Sequence, residues 1–331
     1  DGGYTFNCPS KWSWAEDKEN TKYVHADIHD IKYYNNDLWI ACDGGIFYSN
    51  NQGDTIHQRM FGIAGTDFWG FGSGFSDGDV MIGGTYHNAT LLKDNNTYIQ
   101  GDTLEGTAEG GGWVSICGGD NYRGFVNFGN SRKVYLDEWG SGGGYTLSGN
   151  RNNPLEGFSM SVLSNASYTT GESSNLEFDP RCFNIIYIGS GNTLYKSYNN
   201  GYSSTELYNF EEAVTSIEVG WDNPDILYVA TYDSYWSTKH IWRSEDAGNS
   251  FINITPSFPS ITTDDWIPFD ITISSENAYE VFIARCPNSL DYDSYEGSKV
   301  YKSTNGGDNW NNITGSGLSG ENITNIEYHR G

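Results

Sequence analysis

The chain lacks any run close to the roughly 20 consecutive apolar residues that a membrane-spanning helix needs. Its first residues also lack the basic segment and the apolar stretch of a secretory signal, so the chain reads as mature or as an excerpt. Basic residues are scarce, with 18 Lys and Arg against 43 Asp and Glu and a net charge of -25. Because this charge repels nucleic acid and anionic lipid, the sequence predicts neither nucleic-acid binding nor membrane insertion.

Motifs for metal binding and for nucleotide chemistry are missing as well. The five cysteines have no C-x-x-C spacing, and their odd number leaves at least one unpaired. Cys42 and Cys117 stand in apolar, strand-like segments, where we expect buried free thiols. The chain has no P-loop and no H-E-x-x-H motif, so neither nucleotide hydrolysis nor zinc proteolysis is indicated.

A sustained helical period is absent from every segment of the chain. The 41 glycines, with 37% hydrophobic and 15% aromatic residues, suit many short strands joined by turns. We therefore expect an all-β protein with almost no helix.

A short turn motif, approximately Ser-x-Asp/Asn-x-Gly-x-x-aromatic, recurs along the chain. In such a turn the Asp or Asn side chain accepts backbone N–H bonds, the glycine takes a positive φ, and the aromatic ring packs onto the strands. The residues of the two full copies are Ser244, Asp246, Gly248 and Phe251, and Ser303, Asn305, Gly307 and Trp310. Looser copies begin at Ser49 and Ser197, and residues 1–6 look like part of another. Repetition of this kind indicates an array of similar units.

These copies resemble the Asp-box, or bacterial neuraminidase repeat, which joins the third and fourth strands of a β-propeller blade. The resemblance implies a structural role for the motif and a β-propeller fold with four-stranded antiparallel blades. Dividing 331 residues by seven gives about 47 residues for each blade, the size of four strands with their loops. We expect a single seven-bladed domain.

Strand-like runs around the turns divide the chain into blades. We expect six of them at approximately 24–60, 64–100, 110–150, 174–212, 213–258 and 266–315. A seventh, split blade should combine residues 322–331 with residues 1–23 and close the ring. Its two middle strands have no sequence here, which suggests an excerpt of a longer protein.

Two enlarged loops in consecutive blades contain the same tetrapeptide, Tyr-Asp-Ser-Tyr, and are expected on the face opposite the turn motifs. The predicted ligand-binding residues are Tyr232, Asp233, Tyr235, Trp236, Tyr292, Asp293 and Tyr295. Their aromatic rings and carboxylates suit sugar rings and hydroxyls, or a protein partner docked through tyrosine anchors. Two similar hairpins inherited by duplication are the alternative interpretation.

A His-x-Asp-x-His segment places His25, Asp27 and His29 on one face of a predicted strand. These three residues are candidate metal ligands, although alternate side chains on a strand are about 6.6 Å apart, which is wide for one ion. A hydrogen-bonded polar seam is the other interpretation. No cofactor is expected apart from calcium, which an acidic surface attracts.

This segment, with Asp-Gly-Gly-Ile-Phe-Tyr-Ser (43–49), Gly-Gly-Thr-Tyr-His-Asn-Ala-Thr (83–90) and Gly-Gly-Asp (118–120), resembles the sortilin-like propellers of large secreted bacterial surface proteins. The resemblance implies a secreted or cell-surface location and a carbohydrate or protein partner. The likeness spans most of residues 24–315.

The Asp-Gly-Gly turn and the boxes also resemble xyloglucan-degrading propeller endoglucanases. By that resemblance Asp43 matches a catalytic Asp, and Asp120 or Asp27 would be its partner by position. Such a pair must stand about 5 to 9.5 Å apart across a cleft. Those enzymes use two propellers and one is expected here, so the sequence favours a non-catalytic binding or structural module, with glycoside hydrolysis as the alternative.

Overall fold

Short antiparallel sheets make up the protein, for which we analyse a computed structural model. The structure describes residues 8, 10–12, 21–59, 68–85, 90–94, 113–117, 121–138, 141–147, 155–159, 176–233, 238–255, 270–284, 299–318, 323 and 325–328. Over these residues the strands form six sheets of four strands each. We number the sheets 1 to 6 in chain order.

The strands of sheets 1 to 3 are β1 (Ile28–Tyr34), β2 (Asp37–Cys42), β3 (Gly45–Ser49), β4 (His57–Gln58), β5 (Phe68–Ser73), β6 (Met81–Thr85), β7 (Thr90–Lys93), β8 (Trp113–Cys117), β9 (Asn121–Val126), β10 (Lys133–Glu138), β11 (Ser141–Leu147) and β12 (Leu155–Ser159). The strands of sheets 4 to 6 are β13 (Leu176–Phe178), β14 (Ile186–Ser190), β15 (Thr193–Ser197), β16 (Thr205–Asn209), β17 (Ala213–Val219), β18 (Leu227–Asp233), β19 (Thr238–Ser244), β20 (Ile252–Asn253), β21 (Asp270–Ile273), β22 (Val281–Ala284), β23 (Val300–Ser303) and β24 (Asn311–Asn312). Each sheet pairs its strands in sequence order.

The chain divides into two compact units, residues 1–67 and residues 68–331. Sheet 1 belongs to the first unit, and sheets 2 to 6 belong to the second. The expectation of an all-β chain is confirmed, since the helical structure in the described ranges is a 3-10 turn at Ser316–Leu318. Over the same ranges, no helix has the length and apolar character needed to span a bilayer.

The second and third sheets differ from the predicted strand order. The segment Trp113–Cys117 pairs with β7 and completes sheet 2, whereas the sequence pattern placed it at the start of the next blade. Sheet 3 therefore begins at β9 and extends to Ser159, past the predicted boundary near 150. The seventh blade stays a prediction, because most of residues 1–23 and 322–331 lie outside the described ranges.

Hydrophobic cores lie between successive sheets of the second unit. Ile82 and Leu92 of sheet 2 pack with Val126 and Val134 of sheet 3. Sheets 3 and 4 share a second core, sheets 4 and 5 a third, and sheets 5 and 6 a fourth. An inner sheet therefore has a core on each of its two faces, and its central strand is buried along nearly its whole length, as β18 is.

In the first unit, Phe47 is buried among residues of sheet 1 and the segment that precedes it. Cys42 belongs to this core and is a buried free thiol, as predicted, and burial raises its pKa. The side chain of Cys117 lies outside the described residues.

The four recognisable turn motifs have one hydrogen-bond pattern. In each, the glycine N–H donates to the first serine Oγ at 2.8 Å, as Gly248 does to Ser244. The Asp or Asn Oδ1 accepts the serine hydroxyl and the N–H of the residue four positions later. All four turns join the third and fourth strands of their sheets.

The turn glycines have the predicted left-handed backbone, with φ of 92° at Gly248 and 93° at Gly307. A side chain at Gly307 would also collide with Ile254, whose Cδ1 would lie 2.4 Å from the new Cβ. The motif's aromatic residue reaches the preceding sheet as well, because Trp310 Nε1 donates to Ile254 O at 3.0 Å. The motif therefore shapes its own turn and joins neighbouring sheets.

Candidate functional site

The predicted loop site is only partly visible in the described residues. Tyr232 is 1% exposed, and Lys239 Nζ lies 5.6 Å from its ring centroid. The prediction that Tyr232 is an exposed anchor is wrong, because its side chain is buried and lies beside Lys239 of the neighbouring strand. Asp233 is the last residue of β18. The other residues of this prediction, Tyr235, Trp236, Tyr292, Asp293 and Tyr295, lie outside the described ranges.

A polar network that the sequence did not predict connects Glu212 with side chains of β18 and β19. Glu212, 6% exposed, accepts from Thr231 Oγ1 at 3.1 Å and contacts His240 Nδ1 at 2.9 Å. Trp242 Nε1 donates to Thr231 Oγ1 at 3.0 Å. The network satisfies a buried carboxylate, which is costly to bury alone.

The candidate metal ligands do not form one row. Asp27 has a φ of 58°, so it interrupts the extended backbone, and β1 begins only at Ile28. His29 Nε2 instead contacts the carboxylate of Asp43, whose side chain is 15% exposed. His25 Nδ1 lies 3.2 Å from the carbonyl oxygen of Ala26. No group of three His, Cys, Asp or Glu able to hold a metal occurs among the described residues. Asp120 lies outside them.

The segment Gly74-Phe75-Ser76-Asp77-Gly78 has the spacing of a nucleophile elbow, G-x-S-x-G, which the sequence analysis did not identify. That elbow connects a strand to a helix, whereas this segment connects β5 to β6. Ser76 Oγ lies 2.8 Å from Ser131 Oγ of sheet 3. The serine therefore joins two sheets, and the segment is a structural turn.

The second unit has a cavity of about 800 Å³. We call it the inner-strand cavity, because the first strands of sheets 2 to 6 line it together with residues 325–328. These strands are β5, β9, β13, β17 and β21. The site is therefore assembled from segments spread over more than 250 residues of the chain, counting from Phe68 to Tyr328.

Charged side chains of these first strands line the cavity. The acidic lining residues are Glu177, Glu218, Asp270 and Glu327, and Arg123 is the single basic one among the described lining residues. Asp270 and Arg123 are buried, with exposures of 7% and 9%. Burying charge is costly unless partners compensate, so such groups often mark functional sites.

Asp270 holds the last described segment of the chain. Its Oδ2 accepts hydrogen bonds from Asn325 Nδ2 at 2.7 Å and from Ile326 N at 2.8 Å. Tyr328 N donates to Thr272 Oγ1 at 3.1 Å. Burial raises the pKa of Asp270 to about 6, although the Ile326 N–H and the Arg123 guanidinium act in the opposite direction. This carboxyl therefore changes charge at mildly acidic pH.

Two aromatic lining residues, Phe128 and Trp221, lie at one end of the cavity, which we call its aromatic end, and Phe68, Trp69 and Phe71 of β5 line the cavity as well. Phe128 and Trp221, both lining residues, each follow the end of a first strand by two residues, as Ser275 does. The rings of Phe128, Phe183 and Trp221 have centroids 5.8 to 5.9 Å apart. Because first and third strands run in the same direction, this end of sheets 4, 5 and 6 also carries their turn motifs. The cavity thus has an aromatic end on the side opposite to the predicted loop site.

No protein-family model and no curated protein matches this chain. Among solved structures, the GH74 xyloglucanase from Xanthomonas campestris aligns with a TM-score of 0.51 and 14% identity over 76% of this chain and 38% of that chain. The GH74 enzyme of Niastella koreensis gives 0.46 and 13% over 80% and 49%, and YCF48 from Cyanidioschyzon merolae gives 0.42 and 15% over 86% and 84%. This chain spans about half or less of the two GH74 chains. At such identities the likeness concerns the fold, and with the four-stranded antiparallel sheets it shows a β-propeller.

Proposed function

We propose that this chain is a non-catalytic binding module of a secreted or cell-surface protein, and that its ligand enters the inner-strand cavity. The observation that supports the proposal is the cavity itself, whose volume of about 800 Å³ is within the usual range of ligand sites. Its lining combines apolar rings with a few buried polar groups, the composition expected of a recognition site. A carbohydrate or a segment of a protein partner would supply the ligand.

The finer family assignment, an Asp-box propeller of the sortilin-like type with seven blades, is part of the same proposal. The shared hydrogen bonds of the four turns support it, because each turn connects the third strand of a sheet to the fourth. In proteins with this motif the turns have a structural role. The recognition site is then expected elsewhere, which agrees with a site on the first strands.

Blocking the cavity tests this function. Ser275 lines the aromatic end of the cavity and is half-buried, so Ser275→Trp should fill this end without disturbing a core. Ser316→Trp, at an exposed position outside the lining, is the matched control. Parent and variants would be screened on arrays of glycans and peptides. Signals lost only in Ser275→Trp support the proposal, and equal signals in all three proteins contradict it.

Glycoside hydrolysis is the alternative function, and the pair of Asp43 and His29 is the observation in its favour. The imidazole positions a carboxylate that is 15% exposed, as an acid or base would require. Hydrolysis also needs a second carboxylate in the glycosidase range. Release of reducing ends from xyloglucan and β-glucans would establish the activity, and Asp43→Asn should abolish it. If the parent protein shows no activity on these substrates, hydrolysis is wrong and the non-catalytic binding module remains the proposed function.

A further inference from the structure

We propose that the group bound in the inner-strand cavity is a cation, the ammonium or guanidinium of a basic segment in a protein partner. This inference rests on the proposed function and specifies its ligand. The chain as a whole has a net charge of -25, so a basic partner is also favoured at long range.

The charges in the cavity are the first argument. Four carboxylates line it against one guanidinium, which gives a formal excess of three negative charges when all are ionised. The Arg123 guanidinium lowers the pKa of Asp270 in opposition to burial, and Glu177, Glu218 and Glu327 are the other acidic residues of the lining. A bound cation would reduce the repulsion among these carboxylates, whereas an anion would add to it.

The aromatic end of the cavity is the second argument. Trp221 makes angles of 51° with Phe128 and 49° with Phe183, and these two phenylalanines are at 82° to each other. Phe128 and Trp221 line the cavity, and Phe183 packs against both of these rings. Faces and edges of tilted rings attract a cation, and a Lys or Arg side chain can pass them with its apolar stem in contact. These rings therefore suit a basic side chain, and the charge of the lining favours that ligand over a neutral sugar.

The experiment measures binding of hexalysine, hexaglutamate and cellohexaose by calorimetry at about 0.1 M salt. The cavity variant is Glu177→Gln/Glu218→Gln. The matched control is Glu206→Gln/Glu211→Gln, which removes the same number of charges from exposed positions outside the lining. We expect hexalysine to bind the parent and the control alike, and to bind the cavity variant about tenfold more weakly. A second variant, Ser275→Arg, places a cation at the aromatic end and should weaken binding even if the double variant does not fold.

The outcomes separate this inference from the proposed function. Equal losses in the cavity variant and the control would mean nonspecific attraction to an acidic surface, and the inference would be wrong. Binding of cellohexaose that Ser275→Trp abolishes would keep the cavity as a binding site and overturn the cationic ligand. If no probe binds in a way that depends on the cavity residues, the cationic ligand is wrong, whereas the array screen with Ser275→Trp decides the proposed function separately.

Discussion

Position 307 requires glycine for two reasons, its backbone conformation and the close approach of a neighbouring side chain. Its φ of 93° suits glycine, and any Cβ would meet Ile254 Cδ1 at 2.4 Å. We predict that Gly307→Ala lowers the free energy of unfolding by about 1–3 kcal/mol, through strain and displacement of Ile254. Chemical denaturation would measure the change. Gly315→Ala is the control, since no atom lies within 4 Å of its Cβ position. Equal stability of the two variants would contradict the turn geometry.

The Asp270 carboxyl should make stability depend on pH. Burial raises its folded-state pKa from 3.8 to about 6, so its stabilising contribution is present below about pH 4 and is lost as the pH rises through 6. A shift of this size corresponds to about 2–3 kcal/mol. Asp270→Asn keeps an acceptor for Ile326 N and removes the titration.

Urea unfolding of parent and Asp270→Asn at several pH values between 3.5 and 7.5 would check this prediction. The difference between the two curves isolates Asp270 from the other carboxyls. We expect the variant to become more stable relative to the parent as the pH rises. A constant difference over this range would show that Asp270 does not titrate there.

Arg243 connects two elements, strand β19 of sheet 5 and the turn of sheet 6. Its Nη1 donates to Gly306 O at 2.6 Å and to Asp308 Oδ1 at 3.1 Å, and the residue is 7% exposed. We predict that Arg243→Met costs about 2–4 kcal/mol, because the turn carbonyls lose a buried charged donor. Thermal and urea unfolding would measure this loss.

An exposed ion pair provides the control for Arg243. Lys32 is 73% exposed and lies 3.1 Å from Asp30, so Lys32→Met should cost well under about 1 kcal/mol. Similar losses in the two variants would mean that the contact between sheets 5 and 6 does not depend on Arg243.

Elements whose contacts are local were predictable from the sequence. The hydrogen bonds of the turn at Ser244 join residues at most four positions apart, so its serine, aspartate and glycine predict the turn. The pairing of Trp113–Cys117 with β7 was not predictable, because residues 94–112 separate the two strands and no turn motif marks the connection. The charge of Glu218 or Asp270 was visible, yet nothing local shows that these first strands line one cavity. Charged residues that recur on the predicted first strands were the signal in the sequence that could have indicated this cavity.

At the scale of the molecule, the propeller fold separates the parts that stabilise it from the parts that can recognise a ligand. The turn motifs connect strands within a sheet, and the apolar cores and the Arg243 contacts lie between successive sheets of the second unit. The first strands present charged groups to the cavity, where burial is tolerated only with compensation. The fold shared with a xyloglucanase therefore does not by itself assign that activity to this chain, because function depends on the groups in the site.

The net charge of -25 gives a final prediction for the whole molecule. Like charges repel each other in the compact state, and salt shortens the Debye length from about 10 Å at 0.1 M to about 3 Å at 1 M. We expect the melting temperature to rise by about 2–4 °C between 0.05 and 0.5 M NaCl, equivalent to about 1 kcal/mol. Calorimetric scans would record it.

A charge-reversal variant separates screening from other effects of salt. Glu206→Lys/Glu211→Lys changes the net charge from -25 by four units to -21 at two exposed positions. Its melting temperature should exceed that of the parent at low salt, and the difference should shrink as salt is added, because screening removes the repulsion that the variant relieves. A difference that is independent of salt would mean that local contacts of these two residues, and not the charge of the whole molecule, determine the change.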